Sequence, residues 1–254
     1  MVISMPFPRY PYPAYLVPSF IASLLTGKQR SFRRDAQLCI ERIKPPLRVL
    51  GEEHIPSAGP SLITFNHYYR PGFHAWWMAL AIAARVPVEM HWVMTAELTF
   101  PGKWYSSLGR AVSRWLLKRV AQMYHHTTMP PMPPRPRDVE GRARSVREVI
   151  SFVRQHPHAV LGLAPEGGDQ PGGVVHLPAP GAGRFILLLA EQDFPILPVG
   201  AFEEAGEFCL CFGPSYQLQL PPGLAAQEKD RYAAQILMSA VAGQLPTRLR
   251  GEFG

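Results

Sequence analysis

Charge is scarce in this chain, and so is cysteine. Of 254 residues only 18% are Asp, Glu, Lys or Arg, against about 25% in an ordinary globular domain. The three cysteines, Cys39, Cys209 and Cys211, make neither an even set nor a Cys-x-x-Cys pair. They read as reduced thiols of a cytosolic compartment, without a disulfide framework. Long apolar runs are missing too. The most apolar N-terminal stretch, residues 12–26, is interrupted by Pro13 and Pro18 and falls short of the roughly 20 residues that a bilayer-spanning helix needs. Only Arg9 precedes it and no small-x-small cleavage pattern follows, so it does not read as a signal peptide. No Gly-x-Ser-x-Gly elbow, His-Glu-x-x-His or P-loop is present, and Gly181-Ala182-Gly183 stops short of a dinucleotide fingerprint. His125-His126 and His156-Pro157-His158 have no further ligands at metal spacing. Neither a metal nor a nucleic-acid partner is therefore expected.

What remains can bury a core. The chain is 47% apolar and 11% aromatic, and its 26 basic residues outnumber 19 acidic ones, for a net +7. The length suits one domain, and the charge favours anionic partners such as phosphate-bearing substrates or an acidic membrane surface. Proline is plentiful at 28 residues, ten of them clustered within 6–18 and 130–136. Residues 1–30 read as an apolar, proline-rich arm ahead of a domain over 31–254. Two readings of the arm stand. Either it packs on its own domain, or it beds in a membrane interface, where its tyrosines are at home and Lys28, Arg30, Arg33 and Arg34 meet anionic headgroups. No acid occurs between Glu97 and Asp138, whereas that stretch holds seven basic residues. On a helical wheel Lys103, Arg110, Arg114 and Lys118 fall within about 80°, opposite Trp104, Leu108, Val112 and Trp115. They read as a solvated basic face, or as a contact for a membrane or for the phosphate of an acyl donor.

Helical and strand patterns alternate downstream. Helices are expected over about 31–43, 73–84, 104–123, 142–156, 185–191 and 225–243, and strands over 47–50, 62–65, 88–94, 159–164, 196–202 and 208–212. Val146, Val149, Ile150 and Val153 recur three and four apart, as one helical face does. The apolar run 159–164 suits a strand buried on both faces. Strands separated by helices predict an α/β fold, with a mainly parallel or mixed central sheet flanked by helices. In such sheets ligands gather at the loops leaving the carboxyl ends of the strands.

Three such segments stand out. Asn66-His67 follows the strand at 62–65, where a histidine is placed to act as a general base near neutral pH; a plain helix cap is the structural alternative. Leu163-Ala164-Pro165-Glu166-Gly167-Gly168 leaves a second strand, with glycines that let the backbone approach a ligand and a carboxylate that accepts from hydroxyls. Phe194-Pro195-Ile196-Leu197-Pro198-Val199-Gly200 opens a third. Leu50-Gly51-Glu52-Glu53-His54-Ile55-Pro56 and Gly59-Pro60-Ser61-Leu62-Ile63 lead into them, and Leu245-Pro246 and Arg250-Gly251-Glu252-Phe253 close the chain. In this order and spacing the sequence resembles the glycerolipid acyltransferase family, whose best-known members are the 1-acyl-glycerol-3-phosphate acyltransferases. The resemblance runs from Leu47 to the C-terminus, about four-fifths of the chain.

That resemblance implies a reaction. His67 takes the proton of an acceptor hydroxyl, which attacks the thioester of acyl-CoA or acyl carrier protein. The donor is a co-substrate; no resident cofactor and no covalent enzyme intermediate are implied. Asn66, Glu166, Gly167 and Asp169, with Arg135 and Arg137 of the proline loop, fall on the side of a lipid or polyol acceptor. Pro195 and Pro198 fall along the acyl donor's path. The resemblance also implies a place in phospholipid biosynthesis, at the cytoplasmic face of a membrane to which the protein attaches peripherally.

Two positions depart from the family pattern. The family holds its histidine with an aspartate five residues on, where this chain has Gly72. His74, Asp169, Tyr68 and Tyr69 are the substitutes within reach of the argument. The family also has an arginine two residues past the motif glycine, where this chain has Asp169. A carboxylate there repels a phosphate, so the acceptor is expected to be neutral or cationic at that point unless Arg135, Arg137 or Arg184 offsets the charge. A catalytically impaired relative that binds acyl-CoA or lipid is the alternative reading, on account of Gly72.

Overall fold

The computed structural model describes residues 7–100, 102–132, 135–169 and 171–254. In chain order the elements are α1 (Leu16–Thr26), α2 (Phe32–Ile40), β1 (Arg48–Leu50), β2 (Ser61–Phe65), α3 (Trp76–Arg85), β3 (Met90–Thr95), α4 (Ser106–Tyr124), β4 (Thr127–Met129), α5 (Val139–Gln155), β5 (Val160–Leu163), α6 (Ala182–Ala190), β6 (Ile196–Glu204), β7 (Glu207–Phe212) and α7 (Ala226–Ala242). The strands form one sheet in the order β1-β7-β6-β2-β5-β3-β4. Every neighbouring pair is parallel except β6 and β7. Those two are joined through Ala205 and Gly206, both at positive φ, the backbone that a two-residue hairpin turn requires. The chain is thus α/β, with a mostly parallel mixed sheet between helices.

β2 is buried along its whole length and lies between β5 and β6. Its register against both, Leu62 beside Leu161 and Ile196, sets the loops after β2 and β5 side by side. Helices seal the two faces. Trp77 of α3, with Phe194, Phe208 and Phe212, is almost wholly buried, and each such side chain stabilises the fold by about 2–3 kcal/mol. Gly181-Ala182-Gly183 has an architectural job. The Asp230 carboxylate accepts the N–H groups of Gly181 and Arg184 at 2.7 Å each, capping α6, and a Cβ on Gly183 would strike the Asp230 backbone.

Two elements escape the sequence pattern. α1 forms despite the prolines because Pro18 sits in its first turn, where a backbone N–H has no intrahelical acceptor to lose. β4 is a three-residue edge strand ahead of the proline loop, too short to show a period. The arm does pack on its own domain at Tyr10. That ring meets Phe73, Trp77 and Phe208, and its hydroxyl donates to Glu203 Oε1 at 2.6 Å. Beyond Tyr10, Val17, Ile21 and Leu25 of α1 stay exposed. α4 leaves both of its sides open to solvent: Leu108, Val112 and Trp115 are exposed, next to Trp104 at 95%, while Arg110, Arg114 and Lys118 border an open cleft and Arg114 and Lys118 are themselves exposed. Among the described residues no helix is long and apolar enough to cross a membrane.

Candidate active site

The strand order and two carboxylates build the site. Just past β2, the Asn66 side chain behaves like one more rung of the β2–β6 ladder. Its Oδ1 accepts the Ala201 N–H at 2.8 Å and its Nδ2 donates to the Ala201 carbonyl at 2.9 Å. Asn66 is buried and its amide is spent on the backbone. The acceptor-side role expected of Asn66 therefore has no free side-chain amide group to draw on in this arrangement. Glu166, at the end of β5, ties two loops together: Oε2 accepts the His67 N–H at 2.7 Å and Oε1 the His176 N–H at 3.0 Å. It is 4% exposed. Burial raises its carboxyl above the ordinary value, against the pull of those two N–H groups and histidines. The sequence signalled Glu166 but not this bracing work, since one of the two N–H donors that the carboxylate accepts lies 99 residues away along the chain.

His67 itself is held by its own backbone N–H and stays 17% exposed at the side chain. Gly167 follows Glu166 with φ of +68°, and a Cβ there would collide with the Met132 side chain of the proline loop. The chain then turns back and brings Asp169 to the imidazole, with Oδ1 3.0 Å from Nδ1. The contact is at ion-pair distance but off the line of a hydrogen bond, and Nδ1 has no other partner. Asp169 is 53% exposed. Nε2 has no hydrogen-bond partner among the described residues, so one ring nitrogen faces a carboxylate and the other is left without a protein partner.

Of the four substitutes for the family aspartate, Asp169 alone reaches His67. Tyr68 instead donates to Glu203 at 3.3 Å, and burial with that carboxylate pushes its hydroxyl up to about 12. His74 stacks on Trp76 at 4.3 Å, and Tyr69 makes no hydrogen bond to His67. Gly72 occupies a turn at φ +81°, a backbone that disfavours an aspartate side chain. A feature absent from the sequence reading supports this loop. Glu203, on β6, accepts from Arg70 Nη2 at 2.7 Å as well as from Arg70 Nε and the two tyrosines. The pair Glu203-Glu204 at the end of an apolar strand is the one signal that marked it, and the structure turns Glu203 inward.

Four expected site residues sit elsewhere. Arg135 pairs with Glu97 at 2.8 Å and with Asp138, and Arg137 borders the cavity between α4 and α5. Neither forms an ion pair or hydrogen bond with His67 among the described residues: Met132 lies against Gly167, whereas Arg135 is held at Glu97. Pro195 and Pro198 work within the sheet: their carbonyls accept from Leu62 and Gly213 at 2.9 Å each. The apolar pocket beside the Glu166 loop, about 130 Å³, is lined instead by residues including Met94, Met129, Met132, Leu163, Gly167 and Phe185.

No protein-family model and no curated protein matches this sequence. A solved structure does match: the 1-acyl-sn-glycerophosphate (LPA) acyltransferase PlsC from Thermotoga maritima, at a TM-score of 0.50 and 15% identity, over 89% of this chain and 81% of that one. The chain has that enzyme's fold. At this identity the likeness is one of architecture. In that architecture His67, Glu166 and Asp169 meet at the carboxyl ends of β2 and β5.

Proposed function

We propose that the protein is an acyltransferase that moves a fatty acyl chain from an acyl thioester to the hydroxyl of a lipid-type acceptor. The observation that carries this reading is the Asp169 carboxylate 3.0 Å from His67 Nδ1, in the role left vacant by Gly72. A carboxylate there favours the tautomer with the proton on Nδ1, which frees Nε2 to accept, and it stabilises the imidazolium that forms. Nε2 takes the proton of the acceptor hydroxyl as its oxygen bonds to the thioester carbonyl carbon. The carbonyl π pair moves onto oxygen, then returns as the C–S bond breaks, and the departing thiolate takes the proton from Nε2. Asp169 is a positioning residue, and Glu166 keeps the two loops in register.

The acceptor is proposed to be uncharged where it lies beside His67. Arg70 and Arg135 are committed to Glu203 and Glu97, which leaves neither for a lysophosphatidate phosphate. A membrane supplies such an acceptor, and the exposed apolar residues of α1 and α4, two helices in contact, suit peripheral seating in a bilayer interface. The impaired-relative reading draws on the loose alignment of the Nδ1 contact. Turnover separates the two: acyl-CoA with a panel of neutral alcohols and lysophosphatidate, for native protein, His67→Ala and Asp169→Asn. Transfer to a neutral alcohol that His67→Ala abolishes supports the enzyme. Folded protein that binds acyl thioester and transfers nothing supports the impaired relative, and efficient use of lysophosphatidate overturns the neutral acceptor.

A further inference from the structure

The basic stretch of the sequence does not enter the His67 site. It lines a separate, open cavity of about 980 Å³ along the β4 edge, between α4 and α5. Arg110, Arg114 and Lys118 border it from α4, Arg135 and Arg137 from the proline loop, and Arg144 from α5. Glu97 engages Arg114 at 3.0 Å and Arg135 at 2.8 Å, and Asp138 also engages Arg135. Among the described residues Arg110, Lys118, Arg137 and Arg144 then form no ion pair, with Glu148 the one unpaired acid of the lining. The surplus is 4 − 1 = +3 around one concave space, where like charges repel and the field is focused inward. On the inner wall, His126 Nδ1 takes the Trp92 N–H at 3.5 Å, which leaves the ring proton on Nε2, and Nε2 has no partner.

We infer that this cavity holds the phosphates at the nucleotide end of coenzyme A in the acyl donor. The inference rests on the acyl-thioester reading above. Arginine forks and a lysine around a hollow are the chemistry that recognises a phosphomonoester or pyrophosphate. Position supports the assignment. β4 lies three strands from β2 in the sheet, about 14 Å at ordinary strand spacing. The pantetheine arm, from sulfur to pyrophosphate, is as long as roughly four residues of extended chain, about 14 Å. The two lengths are comparable, so a donor with its phosphates at the β4 edge is of the length to extend its thioester toward the β2 loop. Pro130 and Pro131 border both this cavity and the apolar pocket beside Gly167, so the two spaces are neighbours along that path.

Calorimetry on the full chain tests this, with coenzyme A, dephospho-coenzyme A and adenosine 3′,5′-bisphosphate as probes. Native protein and His67→Ala are expected to bind coenzyme A alike, and dephospho-coenzyme A more weakly. Arg110→Glu and Arg144→Glu should each weaken coenzyme A about tenfold or more, as loss of a charged hydrogen bond does, with a shallower salt dependence. Arg144→Ala, read beside a thermal melt, separates lost binding from lost folding. Coenzyme A affinity unmoved by the reversals overturns the inference. So does a result in which they weaken only phosphatidylglycerol vesicles, or only an acidic acyl carrier protein. The two readings fail differently. Protein that binds coenzyme A through Arg110 and Arg144 but transfers no acyl chain sinks the enzyme and keeps the cavity. Turnover with a KM for acyl-CoA that ignores the reversals sinks only the cavity.

Discussion

The loops around His67 and the cavity at the β4 edge treat charge in opposite ways. Around His67 the carboxylates are provided for: Glu166 holds two backbone N–H groups, Glu203 holds Arg70 and two tyrosines, and Asp169 faces an imidazole. At the β4 edge cations outnumber the acids that pair with them. Internal satisfaction fixes geometry, which a proton transfer needs. An unsatisfied surplus instead favours whatever arrives with the opposite charge. Substitutions should therefore act on rate and stability near His67, and on binding near α4 and α5.

The sharpest break is His67→Ala. Loss of the base should lower kcat by about 10⁴-fold, near 5 kcal/mol of barrier, while the thermal midpoint hardly moves. Steady-state release of free thiol reads it, and a residual rate within tenfold of native would remove His67 from the chemistry. Glu203→Ala comes next and acts on stability. It leaves the Arg70 guanidinium without its buried partner, at about 3–5 kcal/mol, measured by urea unfolding. An unfolding free energy within 1 kcal/mol of native would show that the network does not hold the loop.

Asp169→Asn should cost about 10–100-fold in kcat, or 1.4–2.7 kcal/mol, less than a fully buried triad acid because the side chain is 53% exposed. Asp169→Glu should recover part of the rate, and the pH–rate profile should move with the substitution, as a purely structural role would not require. The cavity side gives a pH effect. Burial pushes the Glu97 carboxyl up, but Arg135 and Arg114 outweigh it and hold the group below its ordinary value of 4.5. A depressed value means that the folded state keeps the ionised form longer, so the stability it contributes is present above 4.5 and is lost as pH falls through the folded value. Unfolding free energy followed from pH 7 downward should decline less steeply in Glu97→Gln. Glu166, whose value is raised, contributes with the opposite sign: native stability gains as pH falls through its folded value. The smallest effect on the fold is Trp104→Ser, within about 0.5 kcal/mol. It should nonetheless reduce partitioning onto phospholipid vesicles, and unchanged partitioning would take α4 out of the membrane seat.

Much of the architecture was legible from local pattern. The valines of α5, the apolar run of β5 and the Asn66-His67 and Glu166-Gly167 loops all fall where residue spacing placed them, because helix and strand periods depend on neighbours within a turn or two. α1 and β4 were not legible, one masked by prolines its first turn tolerates and the other too short for a period. α4 was legible as a helix but not in its facing: the wheel separates the basic from the apolar side without saying that both meet solvent.

By itself, the sequence determined the alternation of strands and helices, the loops that carry His67 and Glu166, and the basic stretch from Lys103 to Arg137. Only the tertiary structure decided what each group meets. Glu166 reaches the His67 backbone across 99 residues, and Asn66 reaches Ala201 across 135, because β2 lies between β5 and β6. The same order carries Asp169 back to His67 and sends Arg135 to Glu97. Hydrogen bonds and ion pairs act over about 3 Å of space, and the sheet order, which no local period encodes, sets which residues come that close.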